Sequence, residues 1–194
     1  MPGTLLFSFA RTVVFTCLVL AVSATPTVAG PLRAGVAKVD ITDVDAGPVN
    51  DPLYAKALVV SDGETTVAIV TVDAVAIAEI GSIRNEYLAN VRAQLQREIG
   101  LDPAHLLINA SHCHGRVCAD VEARTVAAVK AAAKELVPVR IGVGRGHEDR
   151  VMENRRLKLK SGRTVDVRHA YSLPADDEVA EVGPVDPEIG LLRL

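Results

Sequence analysis

Two histidines two residues apart, His112 and His114, close the apolar run Leu106-Leu107-Ile108-Asn109-Ala110-Ser111, with Cys113 between them. Neutral imidazole is the commonest metal-binding side chain, so a His-x-His step at a strand end points to a metal, above all zinc, or to a position beside one. On an extended backbone both rings would lie on one side, whereas a loop after the strand can turn them toward one point. A catalytic zinc takes three protein ligands and leaves a fourth position for water, so this pair is part of a centre. Ser111 and Asn109 are placed to orient the rings by hydrogen bonds. The competing reading is structural: two histidines near a turn that hydrogen-bond the loop and bind nothing.

Other groups could join or replace that chemistry. Asp40 and Asp73 each end an apolar strand, where open sheets present functional carboxylates and where aspartates also cap turns. Asn154-Arg155-Arg156 offers a guanidinium fork that can grip a carboxylate or phosphate or stabilise an oxyanion; an exposed ion pair is the plainer alternative. His147-Glu148-Asp149 follows Gly142-Val-Gly-Arg-Gly146, and with no helix after the glycines a phosphate cradle is not expected. His147-Glu148-Asp149 therefore suits a solvated loop, and surface or turn roles suit His105 and His169. Cys113 and Cys118 could pair in an oxidising compartment, or join the histidines in a structural metal site.

These residues need a scaffold, and the hydrophobic pattern supplies one. Gly35–Thr42 alternates apolar and polar positions as a half-buried strand does, and Asp43–Pro52 is a loop rich in Gly, Pro, Asn and Asp. Leu53–Val60 and Thr66–Val72 flank the turn Ser61-Asp-Gly-Glu, which predicts a hairpin. Ile80–Ile99 places Ile83, Tyr87, Leu88, Val91, Leu95 and Ile99 at helical spacing, ended by Gly100 and Pro103. Asp120–Leu136 repeats the helical pattern, with Asp120 as its N-cap and Pro138 beyond its end. Further strands are expected at Val139–Val143, at Arg156–Lys160 with Thr164–Val167 as a hairpin, and at Glu188–Leu194 after an acidic loop over Leu173–Pro187. The fold class is α/β: a mixed sheet of largely hairpin-linked strands covered by helices.

Residues 1–29 have the form of a secretory signal peptide. Arg11 precedes an uncharged apolar stretch from Thr12 to Ala24 that ends in small residues, with cleavage expected after Ala24 or Ala29. That stretch is shorter than the roughly 20 residues of a membrane span, so export is expected rather than a permanent anchor, which is the alternative. Cys17 would leave with the peptide. Residues 30–194 then form one domain, secreted, periplasmic or at the cell surface. Loss of Arg11 moves the formal charge from -3 to -4. No basic stripe or aromatic series suggests a nucleic-acid partner. The apolar strand that runs to Leu194 suggests a fragment or a truncated reading frame.

Gly35-Val-Ala-Lys-Val-Asp-Ile-Thr42, Tyr54-Ala-Lys-Ala-Leu58, Val70-Thr-Val-Asp73 and Asn109-Ala-Ser-His-Cys-His114, in this order, resemble the N-terminal part of the neutral/alkaline non-lysosomal ceramidases. That family cleaves the N-acyl bond of ceramide with zinc. The resemblance implies that His112 is a zinc ligand and that His114 lies beside metal and substrate. It also implies that Asn154 and Arg155 contact the substrate, a lipid amide, and Asp186 before an apolar strand fits the same pattern. Cys113-His114-Gly115-Arg116-Val117 departs from the family's Thr-His-Ser-Gly-Pro. The family's remaining zinc ligands, a later His, a Glu and a Tyr, would fall beyond Leu194. By this resemblance the chain is an incomplete catalytic domain, with a non-catalytic exported domain as the rival.

Overall fold

The computed structural model describes residues 30–152, 154–167 and 173–194. The expected signal peptide with Cys17, and His169, lie outside the described residues. Five strands form the main sheet: β1 (Arg33–Asp40), β2 (Tyr54–Ser61), β3 (Thr66–Val72), β4 (Leu106–Ala110) and the two-residue β5 (Val137–Pro138). Their order is β4-β3-β2-β1-β5. β1, β2 and β3 form an antiparallel meander, while β4 joins β3 in parallel. The β2–β3 hairpin turns as expected. Gly63 supplies a φ of 95°, and the Asp62 carboxylate accepts from the Glu64 and Thr65 N–H groups.

The parallel pair needs a crossover, and helix α1 (Tyr87–Ile99) provides it. α1 buries Tyr87, Val91 and Leu95, a stripe at four-residue spacing, and ends at Gly100 in the left-handed conformation. It starts later than the Ile80–Ile99 pattern predicts. Glu79 and Gly81 both have positive φ, at 67° and 86°, so the chain is not helical there, and Ile80 stays 56% exposed. Helix α2 (Val121–Lys134) packs against β1 and β2, and against α1. Asp120 does not cap it by a side-chain bond; its carboxylate is held by Arg124 at 2.9 Å.

Both helices lie on one face of the sheet, over the alternating small and branched side chains Ala55, Ala57, Val59, Ala68, Val70 and Val72. The approach is close at Gly35, where an added Cβ would sit 2.0 Å from the Ala132 carbonyl oxygen. Across the opposite face, the pairing register aligns Val36, Leu58, Ile69 and Leu107 in one row over four strands. Among the described residues that row is only partly covered, with Val36 72% and Leu107 59% exposed.

Two smaller sheets follow. β6 (Gly142–His147) pairs antiparallel with β10 (Glu188–Arg193), and β7 (Arg156–Leu159) lies between β8 (Thr164–Asp166) and β9 (Val179–Val182). Two expectations change here. The strand expected at Val139–Val143 is displaced to Gly142–His147, where Gly144 and Gly146 pair with Leu191 and Ile189 of β10. Within the acidic loop over Leu173–Pro187, Val179–Val182 forms a strand through pairing with β7, a partner distant in sequence. The mixed α/β class stands.

Candidate active site

The site grows from the parallel β3–β4 pair. Pairing continues past the strand ends: the Ser111 N–H donates to the Val72 carbonyl (3.0 Å) and the Cys113 N–H to that of Ala74 (3.0 Å). Residues 111–113 therefore run beside residues 72–75 beyond the carboxyl ends of both strands, where open sheets build sites. His112 adopts a φ of 60°, a left-handed conformation that a side chain with a Cβ rarely takes. A strained position persists only when its surroundings fix it, and here the Nδ1 of His112 lies 2.9 Å from the Val75 carbonyl oxygen.

That contact decides the tautomer. A carbonyl only accepts, so Nδ1 carries the proton and the Nε2 lone pair is left for another partner. Nε2 of His114 stands 3.4 Å from Nε2 of His112, with the rings edge to face at 82° and centroids 5.0 Å apart. The turn thus directs both imidazoles to one point, the loop geometry rather than the extended one. Ring orientation comes from the Val75 carbonyl and not from Ser111 or Asn109. The Asn109 side-chain oxygen instead accepts from the Thr71 hydroxyl at 3.2 Å.

Asp73 organises the base of the turn. Its carboxylate accepts from the Ser111 hydroxyl (3.1 Å), the Tyr54 N–H (3.0 Å) and the Lys56 ammonium (2.8 Å). Partial burial pushes its pKa up, but the Lys56, Tyr54 and Ser111 donors outweigh that and hold it below the ordinary value of 3.8. Asp40 takes the plainer role: it accepts from the Thr42 N–H at 2.7 Å, and its pKa is lowered first by the Thr42 side chain and then by that N–H.

The far side of the turn is tied to the β1–β2 connection. The Asp43 N–H donates to the Arg116 carbonyl (3.0 Å), the Cys118 N–H to that of Ile41 (2.8 Å), and Arg116 pairs with Asp43 (3.0 Å). Gly115 leaves room for Leu53, whose δ-methyls would lie 2.8 Å from an added Cβ. Cys113 and Cys118 are free thiols. Cys113 packs against the core, and burial followed by a hydrogen bond to Asp120 pushes the Cys118 thiol up to about 11. Among the described residues no three His, Cys, Asp or Glu side chains converge as a metal cage.

Arg155 lies elsewhere, in a cleft of about 1030 Å³ with Asn154, Asp166 and Asp186 on its walls. Among the described residues neither His112 nor His114 lines it. Asn154 is largely committed to the loop, its amide donating to the Pro184 carbonyl at 2.6 Å and accepting from the Arg156 N–H at 2.8 Å. Arg156 pairs with Asp166 at 3.1 Å. His147, expected in a loop, is instead the last residue of β6, paired with Glu188; it contacts Asp149 at 3.3 Å, and Glu148 pairs with Arg150 in the segment that follows. His105 is exposed at the end of a 3-10 turn, Pro103–His105.

Sequence reasoning missed the Val75 carbonyl and the reach of Asp73 to Ser111 and Lys56. A backbone carbonyl leaves no mark in a sequence. The Asp73–Ser111 contact was accessible in principle, because both residues stand just past the ends of strands that pair in parallel.

No family model and no curated protein matches the chain. Two solved structures share its fold. One is a ceramidase complexed with C2, 18% identical with a TM-score of 0.60; this chain is covered over 84% of its length and that one over 28%. The other is neutral ceramidase from Pseudomonas aeruginosa, 16% identical with a TM-score of 0.55, covering 84% of this chain and 29% of that one. The chain therefore spans less than a third of the length of these enzymes. The chain therefore has a ceramidase-like fold.

Proposed function

We propose that this chain is the N-terminal portion of an exported, zinc-dependent amide hydrolase that cleaves the N-acyl bond of ceramide-like lipids. The observation that carries the reading is the His112 turn. A strained residue at the carboxyl end of a parallel strand pair has its Nδ1 proton donated to Val75, so that Nε2 is presented as a ligand. A fold shared with two ceramidases supports the substrate class.

In this reading His112 holds the metal through Nε2, while His114 lies beside the substrate carbonyl. Zinc, when bound, supplies Lewis acidity at the amide carbonyl and lowers the pKa of a water. Arg155 and Asn154, in their own cleft, contact the lipid substrate away from the amide that the histidine turn receives. Asp73 and Ser111 hold the turn in register. Export rests on the signal-like residues 1–29; among the described residues no helix is long and apolar enough to cross a membrane.

With no three His, Cys, Asp or Glu side chains converging among the described residues, the chain alone is expected to hydrolyse little or nothing. The test is release of fatty acid from a short-acyl ceramide by the purified chain, with and without chelator. Background turnover together with saturable, zinc-dependent binding of the lipid amide is the expected result. Chelator-sensitive turnover well above background would overturn the incompleteness, and failure to bind the amide would overturn the substrate class.

A further inference from the structure

We infer that the face of the main sheet turned away from the helices is a homodimer interface, on which a second copy of this chain lays its own row Val36, Leu58, Ile69, Leu107 in reverse order. This interface needs neither the metal nor the substrate named above.

The pairing register sorts that face into rows that cross four strands. One row is apolar: Val36 on β1, Leu58 on β2, Ile69 on β3 and Leu107 on β4, with Val60 and Val67 beside it. Its two end residues are the most exposed of the four, and between β1 and β3 it lines a groove of about 690 Å³. The neighbouring row, two residues along each strand, is polar: Lys38, Lys56, Thr71 and Asn109. A contiguous apolar strip with a polar border is the form of a protein-association surface.

The order of side chains along the rows selects the partner. A two-fold axis along the strands, between β2 and β3, sets β1 of one copy over β4 of the other and β2 over β3. Val36 then meets the second copy's Leu107, and Leu58 meets the second copy's Ile69, so a branched apolar side chain faces another at every step. The same operation brings Lys38 over Asn109 and Lys56 over Thr71, and no lysine faces a lysine. Both ammonium groups are already engaged within their own chain: Lys56 pairs with Asp73 at 2.8 Å, and Lys38 lies 4.5 Å from the centre of the Tyr54 ring. A two-fold axis across the strands would instead set Lys56 on Val60 and press a charge against an apolar side chain. Sheets stacked in this way stand about 10 Å apart with strands within about 30° of each other. Strands of five to eight residues make a small interface, so the dimer depends on concentration.

The test is sedimentation velocity of the 194-residue chain over a range of concentrations, with Val36→Lys, Leu107→Glu and an equimolar mixture of the two. Val36 and Leu107 are exposed, so both variants keep the core, and circular dichroism checks that they fold. Wild type is expected to pass from monomer to dimer. Each variant alone should dimerise at least about tenfold more weakly, because a charge meets an apolar side chain. The mixture should regain the dimer, since the introduced ammonium and carboxylate then face each other. In wild type the methyl resonances of Val36, Leu58, Ile69 and Leu107 should shift together with concentration, a readout that needs no variant. A monomeric wild type, or methyl resonances that stay fixed, would overturn the dimer; so would adsorption of that monomer to anionic phospholipid vesicles, which would assign the face to a lipid surface. A dimer untouched by either variant would place the contact elsewhere, in residues 1–29 or at the β4 edge, and overturn the interface. A mixture no tighter than its components would overturn the reversed order, and species larger than a dimer would overturn the closed two-fold.

Discussion

The His112 Nδ1 lies 2.9 Å from the carbonyl oxygen of Val75, a residue 37 positions earlier in the chain. That bond joins the segment after β3 to the turn after β4 and sets which imidazole nitrogen faces outward. Around it, Asp73 performs the mechanical work: one carboxylate gathers Ser111 from the histidine turn with Tyr54 and Lys56 from β2.

Asp73→Ala should therefore loosen the turn as well as the sheet. Three donors lose a charged acceptor, and hydrogen bonds to charged groups contribute about 1.5–3 kcal/mol each at most sites. A loss of about 2 kcal/mol in urea denaturation is expected, together with broadened His112 resonances. A sharp, unshifted His112 signal in this variant would show that the Val75 carbonyl holds the ring unaided.

Acid should have a related effect. The folded-state pKa of Asp73 lies below its ordinary value of 3.8, so its contribution to stability is complete above that value and is lost as pH falls through the lower, folded value. Denaturation measured from pH 5 downward should show a destabilisation that Asp73→Asn removes. An identical acid profile in wild type and variant would assign the effect to other carboxylates.

Gly35→Ala should destabilise the main sheet strongly, because its Cβ would lie 2.0 Å from the Ala132 carbonyl oxygen in the backbone of α2. Overpacking of this kind costs about 1–3 kcal/mol, and here the atom that must move is backbone, so the upper end is expected. Thermal unfolding reads it directly. Gly142→Ala, with nothing within 4 Å of the added Cβ, is the control and should change little.

Tyr87→Phe tests the joint between the helices. The Tyr87 hydroxyl is 2.7 Å from the Thr125 Oγ1, both side chains are fully buried, and burial pushes the phenol up to about 12. Thr125 also donates to the Val121 carbonyl at 2.8 Å, so the variant leaves that group satisfied and should lose only about 1 kcal/mol. A much larger loss would mean that the α1–α2 contact depends on this bond.

Arg155→Ala should spare stability, since the side chain is exposed, and weaken lipid-amide binding about tenfold, the scale of one charge-assisted hydrogen bond. Equal affinity in wild type and Arg155→Ala would remove Arg155 from the substrate cleft.

Local pattern alone determined a good part of this protein. Alternation in β1, the Asp62-Gly63 turn, the four-residue stripe Tyr87, Val91, Leu95 and the Gly100 stop each depend on neighbours a few residues away, so they are legible in order. The His112-Cys113-His114 step was visible for the same reason, because it needs only a strand and its end. Tertiary structure decided what distant residues share. It placed Val75 under His112, Asp73 beside Ser111, and Gly146 opposite Ile189, and it turned Val179–Val182 into a strand by giving it β7 as a partner. Each of these depends on a contact between segments far apart in the chain, and the energy of such a contact belongs to the pair and is written in neither segment alone.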